Sequence, residues 1–338
     1  MTQMPAEHGQ NSEKTLVPSF QRPASQVAIR RASSYEQDLF EIVYGTLREF
    51  QKLGELGQRG GNERGKNNAS SAPTKLTYIQ GKTVLIKPNF VGLDKLGCVN
   101  THPAVVAAAR ESFLKLGAAQ VLIGDGPALD RDTEAILESV RLREYTGRLN
   151  GDFVDLNVDD VQHVPLRTRA SRLKELYLPK TVLGADFVVS MAKLKTHHWA
   201  GVTLSLKNMF GIVPGACYGW PKNVLHWAGI SNSILDINAA VRPDFAIVDG
   251  INGMEGNGPI QGTPKKANVL VFGNDPVAVD ATCCRIMGLR PEKVDYIAAA
   301  GTLLGHVSAR KIEQLGESVE SVRAPFAVLK EFRRLKAD

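Results

Sequence analysis

The stretch "DFVVSMAKLKTHHWAG", residues 186–201, joins two kinds of chemistry without a break. Its first half is an apolar, β-branched run of strand length, the pattern of a strand buried on both faces. Its second half carries Lys193, Lys195, His197 and His198 within six positions. The same pattern recurs on either side. "TVLIK" (83–87) runs into Pro88-Asn89, "QVLIGD" (120–125) into Gly126-Pro127, "FAIVDG" (245–250) into a glycine-rich stretch, and "NVLVFGND" (268–275) ends on Asp275. Helix-patterned segments lie between these runs. "HPAVVAAARESFLKLG" (102–117) ends in Gly117 as a C-terminal cap, and "DPVAVDATCCRIMG" (275–288) starts with Asp275 as N-cap and Pro276 in the first turn. Strand–helix alternation of this kind predicts an α/β fold. Its sheet is expected to be largely parallel, with helices on both faces and a ligand cleft at the carboxyl ends of the strands.

Upstream the texture differs. Residues 1–34 are polar, with scattered Pro, Ser and Gln, and are expected to form a disordered tail. Residues 35–53 place Leu39, Ile42, Val43, Leu47 and Phe50 at helical spacing, which predicts an amphipathic helix. Residues 54–75 are rich in Gly, Asn and Ser and read as a flexible linker, leaving 76–338 as the α/β domain.

The 338 residues are 43% hydrophobic, enough for a large core. No apolar run approaches the roughly 20 residues that span a bilayer. The twin arginines Arg30-Arg31 are followed by "ASSYEQDLFEI" rather than an apolar export segment, so a soluble, cytoplasmic protein is expected. Net charge is +6 and the sequence pI about 9.1, which favours anionic partners. Aromatics make up only 7% and form no stripe among the basic residues, which argues against nucleic acid. The four cysteines contain no Cys-x-x-Cys spacing, and Cys283 and Cys284 lie in an apolar helix as small core residues.

If the strands are parallel, Lys87, Asn89, Asp125, Lys193, Asp249 and Asp275 gather along one edge of the sheet. Lys193, Lys195 and His197 alternate, so an extended backbone projects them to one side. Lys207 and Asn208 follow within a dozen residues. Clustered cations lower one another's pKa, so one lysine becomes a candidate neutral base, and histidine titrates near neutrality unaided. The competing reading is structural, with Lys193 paired to a carboxylate such as Asp249. In "VDGINGMEGNGPIQGTP" (248–264), Gly250, Gly256 and Gly258 permit an anion-binding nest holding Glu255, unless the stretch is an ordinary long turn. It matches neither the P-loop nor the dinucleotide fingerprint. Metal binding by His197, His198, Asp125 and His226 is disfavoured, because adjacent histidines do not converge on one ion and no spaced pair exists.

Five blocks in order, "VLIKPNFV", "VLIGDGP", "ADFVVSMAKLKTHHWAGVTLSLKNMFGIVPG", "AIVDGINGMEGNGPIQGTP" and "GNDPVAVDA", closely resemble the signature of the domain of unknown function 362 family, over roughly residues 83–290. The matching positions are Lys87, Pro88, Asn89, Asp125, Lys193, Lys195, Thr196, His197, Lys207, Asn208, Asp249, Gly250, Glu255, Gly256, Gly258, Pro259, Asp275 and Asp280. The resemblance also implies four-iron clusters in many relatives, but this chain lacks the cysteines for them.

Residues and resemblance together lead to an expected enzyme of small carboxylated or phosphorylated metabolites, working by isomerisation, racemisation or elimination. Lys193, Lys195, His197 and Lys207 are its expected catalytic groups. Lys87, Asn89, Asp125, Thr196, Asn208, Asp249, Gly250, Glu255, Gly256, Gly258 and Asp275 are its expected ligand-binding groups. No metal site is expected, and no particular cofactor is indicated. The alternatives are a non-catalytic anion-binding or accessory protein, or an iron–sulfur or metal redox protein completed by a partner chain.

Overall fold

A computed structural model describes residues 23–60, 75–127, 132–147 and 153–337. The strands are β1 (Ser25–Arg31), β2 (Thr83–Lys87), β3 (Gln120–Asp125), β4 (Phe153–Asp155), β5 (Val161–Pro165), β6 (Glu175–Pro179), β7 (Phe187–His197), β8 (Gly201–Thr203), β9 (Phe245–Glu255), β10 (Thr263–Gly273) and β11 (Ile312–Gly316). One sheet runs in the order β11-β1-β10-β9-β7-β2-β3-β4, with β8 hydrogen-bonded to β7 alone. β5 and β6 form a separate antiparallel ribbon.

The stretch 187–197 is the hub of the large sheet. Every residue of β7 is buried, and the strand lies parallel to β2 on one side and β9 on the other. Its residues alternate between two cores. Val188, Ala192 and Leu194 pack on one face, with Ile234 and Ile237 of the helix Ile230–Val241. Phe187, Val189 and Met191 pack on the other, with Val43, Leu47 and Phe50 of the helix Leu39–Gly60. Helices therefore cover both faces, and the apolar character of the first half of β7 has its cause in that double burial. Cys283 and Cys284 are free and buried in the first core.

Three expectations need correction. Residues 25–31 are not tail: β1 sits inside the sheet between β10 and β11, with Val27, Ala28 and Ile29 fully buried. The amphipathic helix is longer than expected and takes in residues 54–60 of the expected linker. Residues 1–22 and 61–74, the remainder of the expected tail and linker, lie outside the described residues. Lastly, β10 is antiparallel to both β9 and β1. Its carboxyl end therefore points to the opposite edge, and Asp275 goes with it. There Asp275 caps the helix Pro276–Ile286 and accepts a hydrogen bond from Ser25 Oγ at 2.6 Å.

The chain passes from β2 to β3 on one side and later returns to place β7 on the other. Ligands of open α/β sheets bind where the strand order reverses in this way. The ends of β2, β3 and β7 meet at that point.

Candidate functional site

A pocket of about 330 Å³ opens at the carboxyl ends of β2, β3 and β7. Seven expected site residues line it: Lys87, Asn89, Asp125, Lys195, His197, Lys207 and Asn208. They do not all face it as free groups. Lys87 Nζ lies 2.5 Å from Asp125 Oδ1 and also donates to the Pro88 carbonyl and to Asn208 Oδ1, at 2.7 and 3.0 Å. Asp125 in turn accepts from the Phe90 and Gly126 amides. Asn208 Nδ2 donates to the Lys87 carbonyl and Ser190 Oγ. These three form a closed clamp that ties β2 to β3 and to the short helix Ser205–Asn208. Burial outweighs Asp125 and holds the Lys87 pKa below its ordinary value.

Lys195 donates to the Val99 carbonyl at 2.7 Å. Burial first, then the Lys207 and Lys193 charges, push its pKa well below the ordinary lysine value. Lys207 is different. It has neither a carboxylate nor a hydrogen-bond partner among the described residues; its Nζ stands over the Phe210 ring, 5.1 Å from the centroid. Burial and the nearby Lys87 charge lower its pKa to about 8, so it remains mostly cationic at neutral pH. Asp280 fixes its helix from below, accepting from the Ser205 and Leu206 amides at 2.7 and 3.0 Å.

Three imidazoles complete the wall, and their partners define their tautomers. His197 Nδ1 accepts from the Trp199 and Ala200 amides at 3.0 and 3.2 Å, so the proton of the neutral ring is on Nε2. Burial and the Lys207 charge keep that ring neutral by holding its pKa well below the usual value. His198 Nδ1 meets the Gly258 carbonyl at 2.7 Å and must donate, which leaves Nε2 as an acceptor. His226 Nδ1 donates likewise to the Lys222 carbonyl at 3.2 Å. Its pKa is lowered by burial and by Lys207. The expected acid–base residue, His197, therefore presents a donor, while His198 and His226 present lone pairs.

The remaining expected residues lie elsewhere. Lys193 does not reach the pocket wall: its Nζ is 2.9 Å from Asp249 Oδ2 and 2.8 Å from Tyr35 Oη, with both charged side chains fully buried. Alternation puts it on the expected side, but the structural reading of the Lys193–Asp249 pair is the one realised. Asp249 also accepts from the Tyr35 hydroxyl and from the His102 and Ile251 amides.

The glycine-rich stretch is no nest. β9 continues to Glu255 and β10 starts at Thr263, so most of it is a hairpin. Its glycines allow close packing. A Cβ on Gly250 would meet Leu194 and Val269 at 3.0–3.1 Å, and one on Gly258 would lie 2.0 Å from the Thr196 carbonyl oxygen. Gly256 has φ +79° and its carbonyl accepts from Thr196 Oγ1 at 2.9 Å. Glu255 accepts from the Ala327 amide outside the pocket. The hairpin tip does supply Asn257, Pro259, Ile260 and Gln261 to the pocket wall.

Sequence reading passed over Trp199, Thr203 and Lys222, and weighed His226 only as a metal ligand. Lys222 is wholly buried and donates to the carbonyls of Gly126 and Gly211, two pocket-lining residues, at 2.7 and 3.0 Å. Burial lowers its pKa to about 7. Nothing in "YGWPKNVLHW" signals this, because the contacts are to backbone far along the chain. Among the described residues, no group of three or more His, Cys, Asp or Glu is arranged to hold a metal ion. Nor is any described helix long and apolar enough to cross a membrane.

The fold and pocket define an α/β protein with a cationic, imidazole-lined cavity at a sheet switch point. The family model described as "Domain of unknown function (DUF362)" matches residues 84–285, and the chain belongs to that family. A thylakoid-associated protein of Synechocystis sp. is 31% identical over 234 residues, covering 65% of this chain and 67% of the relative. Among solved structures, the lactate racemase apoprotein from Thermoanaerobacterium thermosaccharolyticum aligns with TM-score 0.38 and 15% identity. That alignment covers 67% of this chain, which spans half the length of the racemase chain.

Proposed function

We propose that this protein is an acid–base enzyme of a small organic anion, in which Lys207 holds the anionic group and His226 moves a proton beside it. One observation carries the reading. An unpartnered ammonium and an imidazole with a free Nε2 lone pair flank the same Phe210 ring, with the His226 and Phe210 centroids 5.1 Å apart. A cation without a counter-ion in a partly buried wall is costly, and an incoming anion offsets that cost. A neutral imidazole next to the bound anion is suited to taking a proton from an adjacent carbon and returning it, the core of isomerisation, racemisation or elimination. His197 Nε2–H is a donor for negative charge developing on the substrate.

The test is a thermal-shift screen of small carboxylates and phosphates, followed by incubation of each binder in D2O. Lys207→Met should abolish ligand-induced stabilisation. His226→Asn should keep the stabilisation but lose deuterium incorporation into the ligand. Binding with no deuterium uptake or turnover by wild type would overturn the enzyme and leave a non-catalytic anion receptor.

A further inference from the structure

The pocket wall keeps buried side-chain oxygens that no described residue satisfies. Asn89 Oδ1 and Thr203 Oγ1 are buried without any hydrogen-bond partner, in side chains 8% and 3% exposed that both line the pocket. His198 and His226 each keep an acceptor nitrogen, because their Nδ1 atoms donate to carbonyls. A buried polar atom left without a partner carries its full desolvation penalty, so Asn89 Oδ1 and the Thr203 hydroxyl, which can both accept and donate, mark where polar groups of a ligand would sit. The wall's own donors, among them the Lys207 ammonium, His197 Nε2–H and Asn89 Nδ2, do not reach Asn89 Oδ1 or Thr203 Oγ1 within hydrogen-bond distance. Asp125 is the only carboxylate on the wall among the described residues, and Lys87 and two amides already occupy it.

We infer that the ligand is a small hydroxylated monocarboxylate, its carboxylate on Lys207 and His197 and its hydroxyl groups on His198 Nε2, Asn89 Oδ1 and the Thr203 hydroxyl, with His226 left free as the base. This rests on the anion-site reading above and narrows it. Among the described residues the wall offers one cation with neither a carboxylate nor a hydrogen-bond partner, Lys207, since Lys87 is paired with Asp125 and Lys195 is held by the Val99 carbonyl. One positive charge matches one carboxylate and falls short of a phosphate dianion. An ammonium on the ligand would meet Lys207 with no free carboxylate to receive it, which excludes amino acids. Hydroxyl groups are what remains to fill the acceptors.

The experiment is calorimetry on the full chain at pH 7 with matched probes: glycerate and gluconate, their hydroxyl-free counterparts propionate and hexanoate, serine, and glycerol 1-phosphate. Glycerate or gluconate should bind at least ten-fold more tightly than its hydroxyl-free counterpart, and serine should not bind. Thr203→Val removes a hydroxyl that has no partner in the free protein, so it should leave the fold as stable or more so. It should also weaken the hydroxylated probe about five-fold without affecting the hydroxyl-free one. Equal binding of hydroxylated and hydroxyl-free acids would overturn this inference while sparing the anion site. Tighter binding of glycerol 1-phosphate or of serine would also overturn it. Failure of every anion to bind would remove the anion site and this inference together.

Discussion

Burying an ammonium costs several kcal/mol unless a carboxylate meets it, and Lys193 and Lys207 resolve that cost in opposite ways. Lys193 is paired with Asp249 at 2.9 Å; Lys207 has only the Phe210 ring. The two lysine-to-methionine variants should therefore diverge. Lys193→Met strands a buried Asp249 and should cost about 3 kcal/mol, the low end of the range, because Tyr35 and two amides still donate to that carboxylate. Lys207→Met removes an unpaired cation and should leave the apo protein equally or more stable. Urea midpoints of both variants check this pair, and a stable Lys193→Met variant would refute the structural role. The proposed acid–base reaction would carry a pH profile in kcat/KM. It should fall above about pH 8, as free Lys207 loses its proton, and again on the acid side below the ordinary histidine range, as His226 gains one. A profile flat from pH 7 to 10 would exclude Lys207 as the anchor.

At the scale of elements, the β9–β10 hairpin and β1 carry roles that local sequence conceals. Gly258 holds the hairpin tip against β7 so closely that a Cβ would overlap the Thr196 carbonyl oxygen. The same glycine's carbonyl accepts from both the His198 amide and its Nδ1. Gly258→Ala should therefore push the tip outward, release His198 and weaken ligand binding at least ten-fold, with a smaller loss of melting temperature. An unchanged affinity would show that the tip does not set the pocket. β1 makes a second case. Its register with β10 runs from Val27–Gly273 to Arg31–Val269, and with β11 from Ser25–Ile312 to Ile29–Gly316. A chain starting at Leu76 would lose this strand and the helix Leu39–Gly60, exposing Val43, Leu47 and Phe50 contacts. Such a truncation should fail to fold cooperatively. Circular dichroism of its thermal transition against the full chain checks it.

For the whole molecule, buried cations leave a signature in stability against pH. Lys207 and Lys222 have native pKa values of about 8 and about 7, against 10.5 for an exposed lysine. Between pH 7 and 9 the unfolded chain therefore holds protons that the native chain sheds, so stability should rise with pH, by roughly 2 kcal/mol per unit. Below pH 7 both penalties apply in full. Above pH 9 the buried Cys283 and Cys284 thiols, whose pKa values burial raises well above 9.0, reverse the trend, because only the unfolded chain ionises them. Denaturant midpoints at pH 7, 8 and 9 should climb, and Lys207→Met should climb less between pH 8 and 9. A fall from pH 7 to 9 would contradict the buried-cation account.

Much of this architecture is written in local pattern. Short apolar runs at 84–86, 121–123, 187–189 and 245–248 encode strands buried on both faces, since only double coverage tolerates such composition. The caps at Asp275 and Gly117 encode helix ends through one side-chain acceptor and one positive φ. The family motifs likewise brought Lys87, Asn89, Asp125, Lys195, His197, Lys207 and Asn208 to one pocket. Strand direction was not legible in this way: "NVLVFG" reads the same parallel or antiparallel, and only its pairing with β9 sent Asp275 to the far edge. Nor was the division of labour among the lysines and histidines. Whether a lysine is a clamp, a core ion pair or a free cation depends on which carboxylate lies within 3 Å. Whether a histidine gives or takes a hydrogen bond depends on which backbone atom faces Nδ1. Sequence determined which groups reach this edge of the sheet; tertiary packing alone decided which remain unpaired there, because charge pairing and tautomers follow from contacts between residues distant in the chain.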